Sequence, residues 1–270
     1  MRKNIFRNII ENTYLFLIIV FLYFPIIILM VFSFNDLKST SNWGGFSLRW
    51  YEQMLSDENL IQALINTLSI GLLSSLISCV IGTAAAIGIQ GYKSQKLKGA
   101  VNALTNLPMV SSELVMGVSL MMMFLSGGIQ LGYLTLLLSH ITFCIPYVIL
   151  SVQPKLVQLD TNLYEAALDL GAKPFYAFRK IIIPEISPGI INGLLISFTL
   201  SIDDFIISFF TTGNGVNNLS IYIYSSVKRG LNPMYNALST VVFIFVMVII
   251  MIINRRTESK NNSSVMIPGA

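Results

Sequence analysis

Residues 165–184 read EAALDLGAKPFYAFRKIIIP and lie between two long hydrophobic stretches of the chain. Asn162 and Glu165, three residues apart, form a capping pair ahead of Leu163, Ala166, Ala167 and Leu170, which recur at helical spacing on one face. The pattern predicts a short amphipathic helix. Gly171 suits the left-handed position that closes a helix, and Pro174 suits the first turn of a second helix running through Phe175, Phe178 and Ile182. Pro184 is expected to interrupt that second helix, because it has no N–H and its ring meets the preceding turn. The helix–turn–helix so predicted occupies residues 160–184.

Composition assigns the class around it. Of the 270 residues, 54% are hydrophobic and 11% charged, and the mean hydropathy is +0.72, which excludes a soluble domain of this length. A spanning helix needs about 20 mostly apolar residues. Stretches of that kind fall near 14–34, 65–90, 101–125, 129–152, 186–211 and 236–253. The chain therefore reads as an all-α polytopic membrane protein with six transmembrane helices in a single transmembrane domain, 1–256, followed by a polar tail, 257–270, expected to be disordered. Arg2, Lys3 and Arg7 precede the first span as they would a signal peptide. That span is too long for one, and no small-x-small cleavage site follows Phe34, so it is expected to be retained.

Basic residues set the orientation. Six spans put both termini on one side. With the N-terminus inside, the inner segments carry Arg2, Lys3, Arg7, Lys93, Lys96, Lys98, Lys155, Lys173, Arg179, Lys180, Arg255, Arg256 and Lys260, thirteen of the 17 basic residues; Lys38, Arg49, Lys228 and Arg229 are outside. The 160–184 segment then faces the cytoplasm. The net charge of +4 reflects this topology, and nucleic-acid binding is not expected.

Several chemistries find no support in the residues. Cys79 and Cys144 each sit in an apolar span and read as small hydrophobes, giving neither a disulfide nor a metal pair. The single His140 lies mid-span, where a hydrogen bond to a neighbouring helix is the first reading and a proton relay the second. No G-x-x-x-x-G-K-[ST] loop occurs, so the chain does not hydrolyse ATP by that route. The outer loops, about 35–61 and 212–235, are too short to form a solute-binding domain but long enough to meet an external protein. Trp43, Trp50 and Tyr51 in the first are candidate anchors, although membrane-interface belts use the same residues.

Three acids carry the intramembrane chemistry: Glu113 in the third span, and Asp203 with Asp204 in the fifth. A charge at mid-membrane costs at least about 2.5–3.5 kcal/mol and marks a functional candidate. The six spans contain no Lys or Arg to pair with them. Neighbouring helical residues point about 100° apart. Asp204 continues a stripe of Gly193, Ser197, Ser201, Ser208 and Thr211, either a close helix–helix seam or the wet wall of a path, with its carboxylate favouring the path. Asp203 shares a face with Asn192, Thr199 and Phe210 and on that face would hold helices together. Such acids suit a small cation, worth about 4 kcal/mol for an ammonium at 4 Å in an effective dielectric near 20. Phe205, Phe209 and Tyr147 are candidates for cation–π support.

The 165–184 stretch resembles the EAA loop by which permeases of ABC importers grip their ATPase. That pattern is Glu-Ala-Ala, three residues, Gly, nine residues, Ile-x-Leu-Pro. Glu165, Ala166, Ala167, Gly171, Ile181 and Pro184 fall in register, and only the Leu position departs, as Ile183. An ordinary helix–loop–helix would share the small residues and the glycine, but not six fixed positions over this length. Over most of the chain, PIIILMVFSFN (25–35), WYEQMLSDENLIQALINTLSIG (50–71), SSELVMGVSL (111–120), SHITFCIPYV (139–148), SFTLSIDDFIISFF (197–210) and YSSVKRGLNP (224–233) are similar to PotC-type spermidine/putrescine permeases. The resemblance implies an ABC type I importer permease architecture with a cytoplasmic EAA coupling loop, in a bacterial cytoplasmic (inner) membrane, both termini cytoplasmic. It further implies a second related permease, favouring a heterodimer, a dimer of ATPase subunits that bind ATP and Mg, and an extracytoplasmic polyamine-binding protein. The chain itself would be a transport subunit, with no catalytic residue, cofactor or metal of its own. Glu113, Asp203 and Asp204 would pass the amine, and the six EAA positions would couple it to the ATPase.

Three rival readings are open to the sequence. A permease for an aminophosphonate, thiamine or iron would keep the loop without needing three intramembrane acids. An ion-coupled secondary transporter would use the acids but has no use for an ATPase socket and usually shows an internal repeat. A membrane-embedded enzyme would want a nucleophile, base or metal constellation.

Overall fold

The structure is a computed structural model that describes residues 2–39, 42–213, 215–229, 232–244 and 247–248; the 257–270 tail lies outside the described residues. The described chain is helical, with one isolated bridge, Asn35 to Phe46. In order the helices are α1 (Arg2–Phe32), α2 (Arg49–Ser56), α3 (Glu58–Gln90), α4 (Gln95–Val110), α5 (Glu113–Ser126), α6 (Tyr133–Gln158), α7 (Thr161–Asp169), α8 (Pro174–Ala177), α9 (Ile183–Asp203), α10 (Ile206–Thr211) and α11 (Leu219–Arg229). A shorter apolar helix, α12 (Met234–Ile244), follows. The chain forms two compact units, Met1–Glu58 with Ser225–Ala270, and Asn59–Tyr224.

Among the described residues, four helical segments are long and apolar enough to cross a membrane: Asn12–Phe32, Glu58–Gln90, Tyr133–Gln158 and Pro174–Asp203. A fifth is available if α4 and α5 count as one. The expected uninterrupted third span, 101–125, is broken there, with a bend of 102°. Pro108 removes one helical N–H, and the Ser111 amide and hydroxyl both donate to the Leu107 carbonyl, at 3.0 and 2.9 Å. Ser111 and Ser112 then turn extended, with ψ of 148° and 135°. The expected fifth span, 186–211, is also broken, at Asp204, where ψ is 128°. Of the expected sixth, 236–253, the described part is α12 and Met247–Val248; residues 245–246 and 249–253 lie outside the described residues.

Pro184 does not interrupt its helix. A π-helical turn, Phe178–Ile182, precedes it and carries α8 into α9 as one continuous segment, so the chain meets a residue that cannot donate with a local change of helical pitch rather than a break.

The Asn59–Tyr224 unit is organised around α6. One apolar cluster joins Ala86 and Ile89 of α3 with Val148, Val152 and Leu156 of α6 and Ile186 of α9. Another joins Leu120 and Phe124 of α5 with Phe143 and Cys144 of α6 and Ile207 of α10. Small residues permit the approach. A Cβ on Gly82 would lie 2.7 Å from that of Val148, and one on Gly193 3.2 Å from Val148 Cα, so α3 and α9 close on α6 at one residue. The Gly193, Ser197, Ser201 stripe is thus a seam against α6 in this structure rather than the wall of a path, and all three residues are buried. A Cβ on Gly189 would meet the Ser151 carbonyl at 2.7 Å, whereas one on Gly88 would meet nothing within 4 Å. Gly189→Leu is therefore expected to cost about 1–3 kcal/mol by overpacking and to lower the thermal unfolding temperature in detergent; Gly88→Ala is expected to leave it unchanged. Equal melting of the two variants would refute the seam.

In the other unit, Asn35 closes the loop after α1. Its side chain donates to the carbonyls of Ser39 and Asn42, at 2.9 and 2.7 Å, and accepts from the Gly44 amide at 2.8 Å. The Trp50 indole donates to the Asn35 carbonyl, and the ring is fully buried. Trp50 is therefore a loop anchor, while Trp43 is exposed.

Candidate functional site

The helix–turn–helix begins differently from its sequence reading. Asp160 is the N-cap of α7 and accepts from the Asn162 amide at 3.0 Å, displacing the expected Asn162–Glu165 pair. Its end matches expectation. Gly171 sits at φ +84°, its amide donates to the Leu168 carbonyl at 2.8 Å, and the Ala172 amide donates to Ala167 at 3.0 Å. These are the two bonds of a Schellman closure. Glu165 and Ala166 are exposed, as are Gly171 and Pro184; Ala167 and Ile181 are half-buried. Leu170, Phe175 and Tyr176 are 90, 76 and 60% exposed. Apolar side chains grouped on a capped turn form a surface suited to a protein partner.

The second constellation is built from the two breaks. Glu113 occupies the first turn of α5, exposed, where the positive end of the helix dipole favours a carboxylate. It lies within electrostatic reach of Tyr147, whose ring packs edge-on against Phe143. Asp203 is the last residue of α9 and exposed, adding charge to the negative end of that helix. Among the described residues neither acid has a salt-bridge partner. Asp204 is buried. Its Oδ1 accepts from the Ile207 amide at 3.2 Å, and its Oδ2 from the amide and hydroxyl of Ser208, each at 2.8 Å. Asp204 thus lies with Ser201 and Ser208, the stripe to which helical spacing assigned it, and Asp203 lies with exposed Asn192 and Thr199; the difference is that the stripe is buried.

The breaks are tied together where α5 crosses α10. A Cβ on Gly117 would lie 3.3 Å from Ile207 Cα and 3.1 Å from the Phe210 ring. Glu113 is one turn before Gly117, about 6 Å along the axis, and Asp203 is three residues before Ile206. Beside Asp203, Phe205, Phe209 and Tyr224 gather: the Phe205 and Tyr224 centroids are 4.7 Å apart, Phe205 and Phe209 5.6 Å. Sequence reading found the two phenylalanines and missed Tyr224, which comes from α11, a separate helix. It also missed the surroundings of His140. That imidazole is buried between Ser201 Oγ, 2.6 Å from Nδ1, and Ser208 Oγ, 2.9 Å from Nε2, with Asp204 Oδ2 3.6 Å from Nε2. The signal was the serine spacing in SFTLSIDDFIIS, legible only once α9 and α10 are known to pack on α6.

Residues 3–260 match the family of binding-protein-dependent transport system inner membrane components. The chain belongs to this family. The permease is 37% identical over 256 residues to the spermidine/putrescine transport system permease protein PotC of Haemophilus influenzae, covering 95% of this chain and 99% of that protein. It is 36% identical over 228 residues to the putrescine transport system permease protein PotI of Escherichia coli K12, covering 82% and 81%. Among solved structures, a chain of a bacterial ABC transporter involved in the import of the acidic polysaccharide alginate superposes with a TM-score of 0.74 at 12% identity, over 96% of the permease and 98% of that chain. At that identity the likeness fixes the fold alone. The permease is thus a multi-pass inner-membrane transport subunit with the importer-permease fold, and not an enzyme.

Proposed function

We propose that this permease passes polyamines, spermidine and putrescine, inward across the cytoplasmic membrane, driven by ATP hydrolysed on a separate subunit. The observation that carries the substrate class is Asp203: an exposed carboxylate without a salt-bridge partner among the described residues, at the negative end of α9, which a cationic amine would relieve. Glu113 supplies a second charge, and Phe205, Phe209 and Tyr224 offer ring faces worth about 0.5–2 kcal/mol each to a passing ammonium. Asp204 acts from behind, holding the break. The relatives named for polyamine transport support the same class.

In this reading 1–256 is one transmembrane domain with both termini cytoplasmic, which puts α7 where ATP is. A second related permease completes the path, an extracytoplasmic binding protein delivers the solute, and Trp43 and Phe46 are exposed aromatics of the first outer loop that can meet it. ATPase closure pulls on α7 through Leu170, Phe175 and Tyr176 and turns the bundle outward. Hydrolysis returns it. Modest affinity along the path is required, since a tightly held amine would not leave.

Uptake of labelled spermidine and putrescine by polyamine-auxotrophic cells, with and without this chain, and with ATP depleted at fixed membrane potential, tests the proposal. Uptake is expected to need both chain and ATP. Uptake indifferent to the chain removes the substrate assignment; uptake that follows the potential removes the ATPase coupling.

A further inference from the structure

His140 is the one histidine of the chain, and no step above uses it. We propose that His140 is a positioning residue: held as the neutral Nε2–H tautomer in a one-directional line of hydrogen bonds from α3 to Asp204, it fixes the carboxylate at the α9/α10 break. Its importance for transport rests on the pathway reading of that break.

The direction of the line follows from proton counting. Asp204 Oδ2 accepts from the Ser208 hydroxyl at 2.8 Å. A hydroxyl has one proton, so Ser208 Oγ, having given it to Asp204, accepts from His140 Nε2 at 2.9 Å, and Nε2 carries the hydrogen. In a neutral imidazole Nδ1 is then bare. It accepts from Ser201 Oγ at 2.6 Å, and Ser201 in turn accepts from Ser74 Oγ at 3.1 Å. The opposite polarity would send the Ser74 proton to the Gly71 carbonyl, which is farther away at 3.3 Å. Every polar atom of the imidazole is engaged, and its environment is buried, where leaving any link open is costly.

The line does more than satisfy a buried ring. Ser74 is on α3, His140 on α6, Ser201 on α9 and Ser208 on α10, so four helices are joined by one line of hydrogen bonds at the point where a membrane helix is interrupted. Nothing covalently stiff holds α10 against α9, since Asp204 and Phe205 separate them. A residue anchored to Ser201 on one side of the break and to Ser208 on the other sets the angle between the two helices. It thereby sets where Asp203, the last residue of α9, presents its charge relative to α10.

The lone histidine makes the test direct. The full chain, labelled with 15N-histidine and reconstituted in lipid nanodiscs, gives one imidazole; its nitrogen shifts are expected to report the neutral Nε2–H form, and an imidazolium or Nδ1–H pattern overturns the proposal. This readout needs no substrate, so it decides the hydrogen-bond line even if the transported solute is not a polyamine. Transport is then read in the complete reconstituted complex as ATP-driven spermidine uptake and binding-protein-stimulated ATP hydrolysis. His140→Leu is expected to lower uptake about tenfold, the scale of an unsatisfied hydrogen bond beside a buried charge, and His140→Gln to recover part of it through its amide donor. In an Asp204→Asn background His140→Leu is expected to cost nothing more. Multiplying losses, or equal losses for Leu and Gln, overturn the positioning role; stimulated ATP hydrolysis that responds to His140→Leu without any spermidine uptake by the unaltered complex overturns only the polyamine reading.

Discussion

A Gly171→Pro permease is expected to lose its ATPase on purification and all ATP-driven uptake with it. Gly171 closes α7 at φ +84°, and its amide donates to the Leu168 carbonyl. Proline fixes φ near −65° and has no N–H, so both halves of the closure fail at once, at about 3 kcal/mol or more. The turn then cannot deliver Leu170, Phe175 and Tyr176 to one surface. Gly171→Ala separates backbone strain from loss of the bond. Nothing lies within 4 Å of a Cβ there, so alanine meets no clash and only the left-handed conformation opposes it, at about 1–2 kcal/mol. Co-purification of the ATPase should be graded: full for glycine, reduced for alanine, absent for proline. Full recovery with the proline variant would remove the segment from its coupling role.

The class of the protein and the coupling segment were legible in the sequence, for the same reason: both depend on local pattern. Apolar runs of membrane length need no tertiary knowledge, and Gly171 declares a left-handed cap whatever it packs against. The interruptions in the third and fifth spans were not legible, because hydropathy averages over a break of one or two residues. Signals were present in hindsight. Pro108, Ser111, Ser112 and Glu113 form a helix stop followed by an acidic helix start, and Asp204 precedes Ser208 at the spacing by which a carboxylate serves exposed amides. Both acidic sites coincide with breaks, and at the second the amides of Ile207 and Ser208 serve the buried Asp204 carboxylate in place of a Lys or Arg. Asp204 keeps the company of Ser201 and Ser208 that helical spacing gave it although the helix stops there, and what spacing alone did not show is that this stripe is packed against α6. The cap of α7 shifted from Asn162 to Asp160 within the usual latitude of helix ends.

Asp203→Asn and Asp204→Asn are expected to reduce uptake by different routes, and the contrast tests how the breaks work. Asp203 is exposed and accepts no side-chain hydrogen bond among those described, so asparagine removes charge and disturbs little else. Its effect should be a raised KM for spermidine, on the order of tenfold if an attraction of a kcal/mol or more is lost, with assembly, ATPase recovery and the maximal rate near those of the unaltered permease. High salt should shrink the difference, since an exposed charge is screened. Asp204 is the reverse. Three donors converge on its oxygens, from Ile207 and Ser208, and asparagine turns one accepting oxygen into a donor facing them. That leaves a buried clash of donors worth about 1–3 kcal/mol, felt as a displaced α10 rather than a weakened encounter. The maximal rate should fall at least about tenfold with KM little changed, the loss should be indifferent to salt, and the complex should still assemble, because the apolar clusters on α6 do not involve Asp204. A KM effect at Asp204 with an unchanged maximal rate would place its carboxylate in the path itself, and normal transport by both variants would leave the breaks without a role in moving the cation.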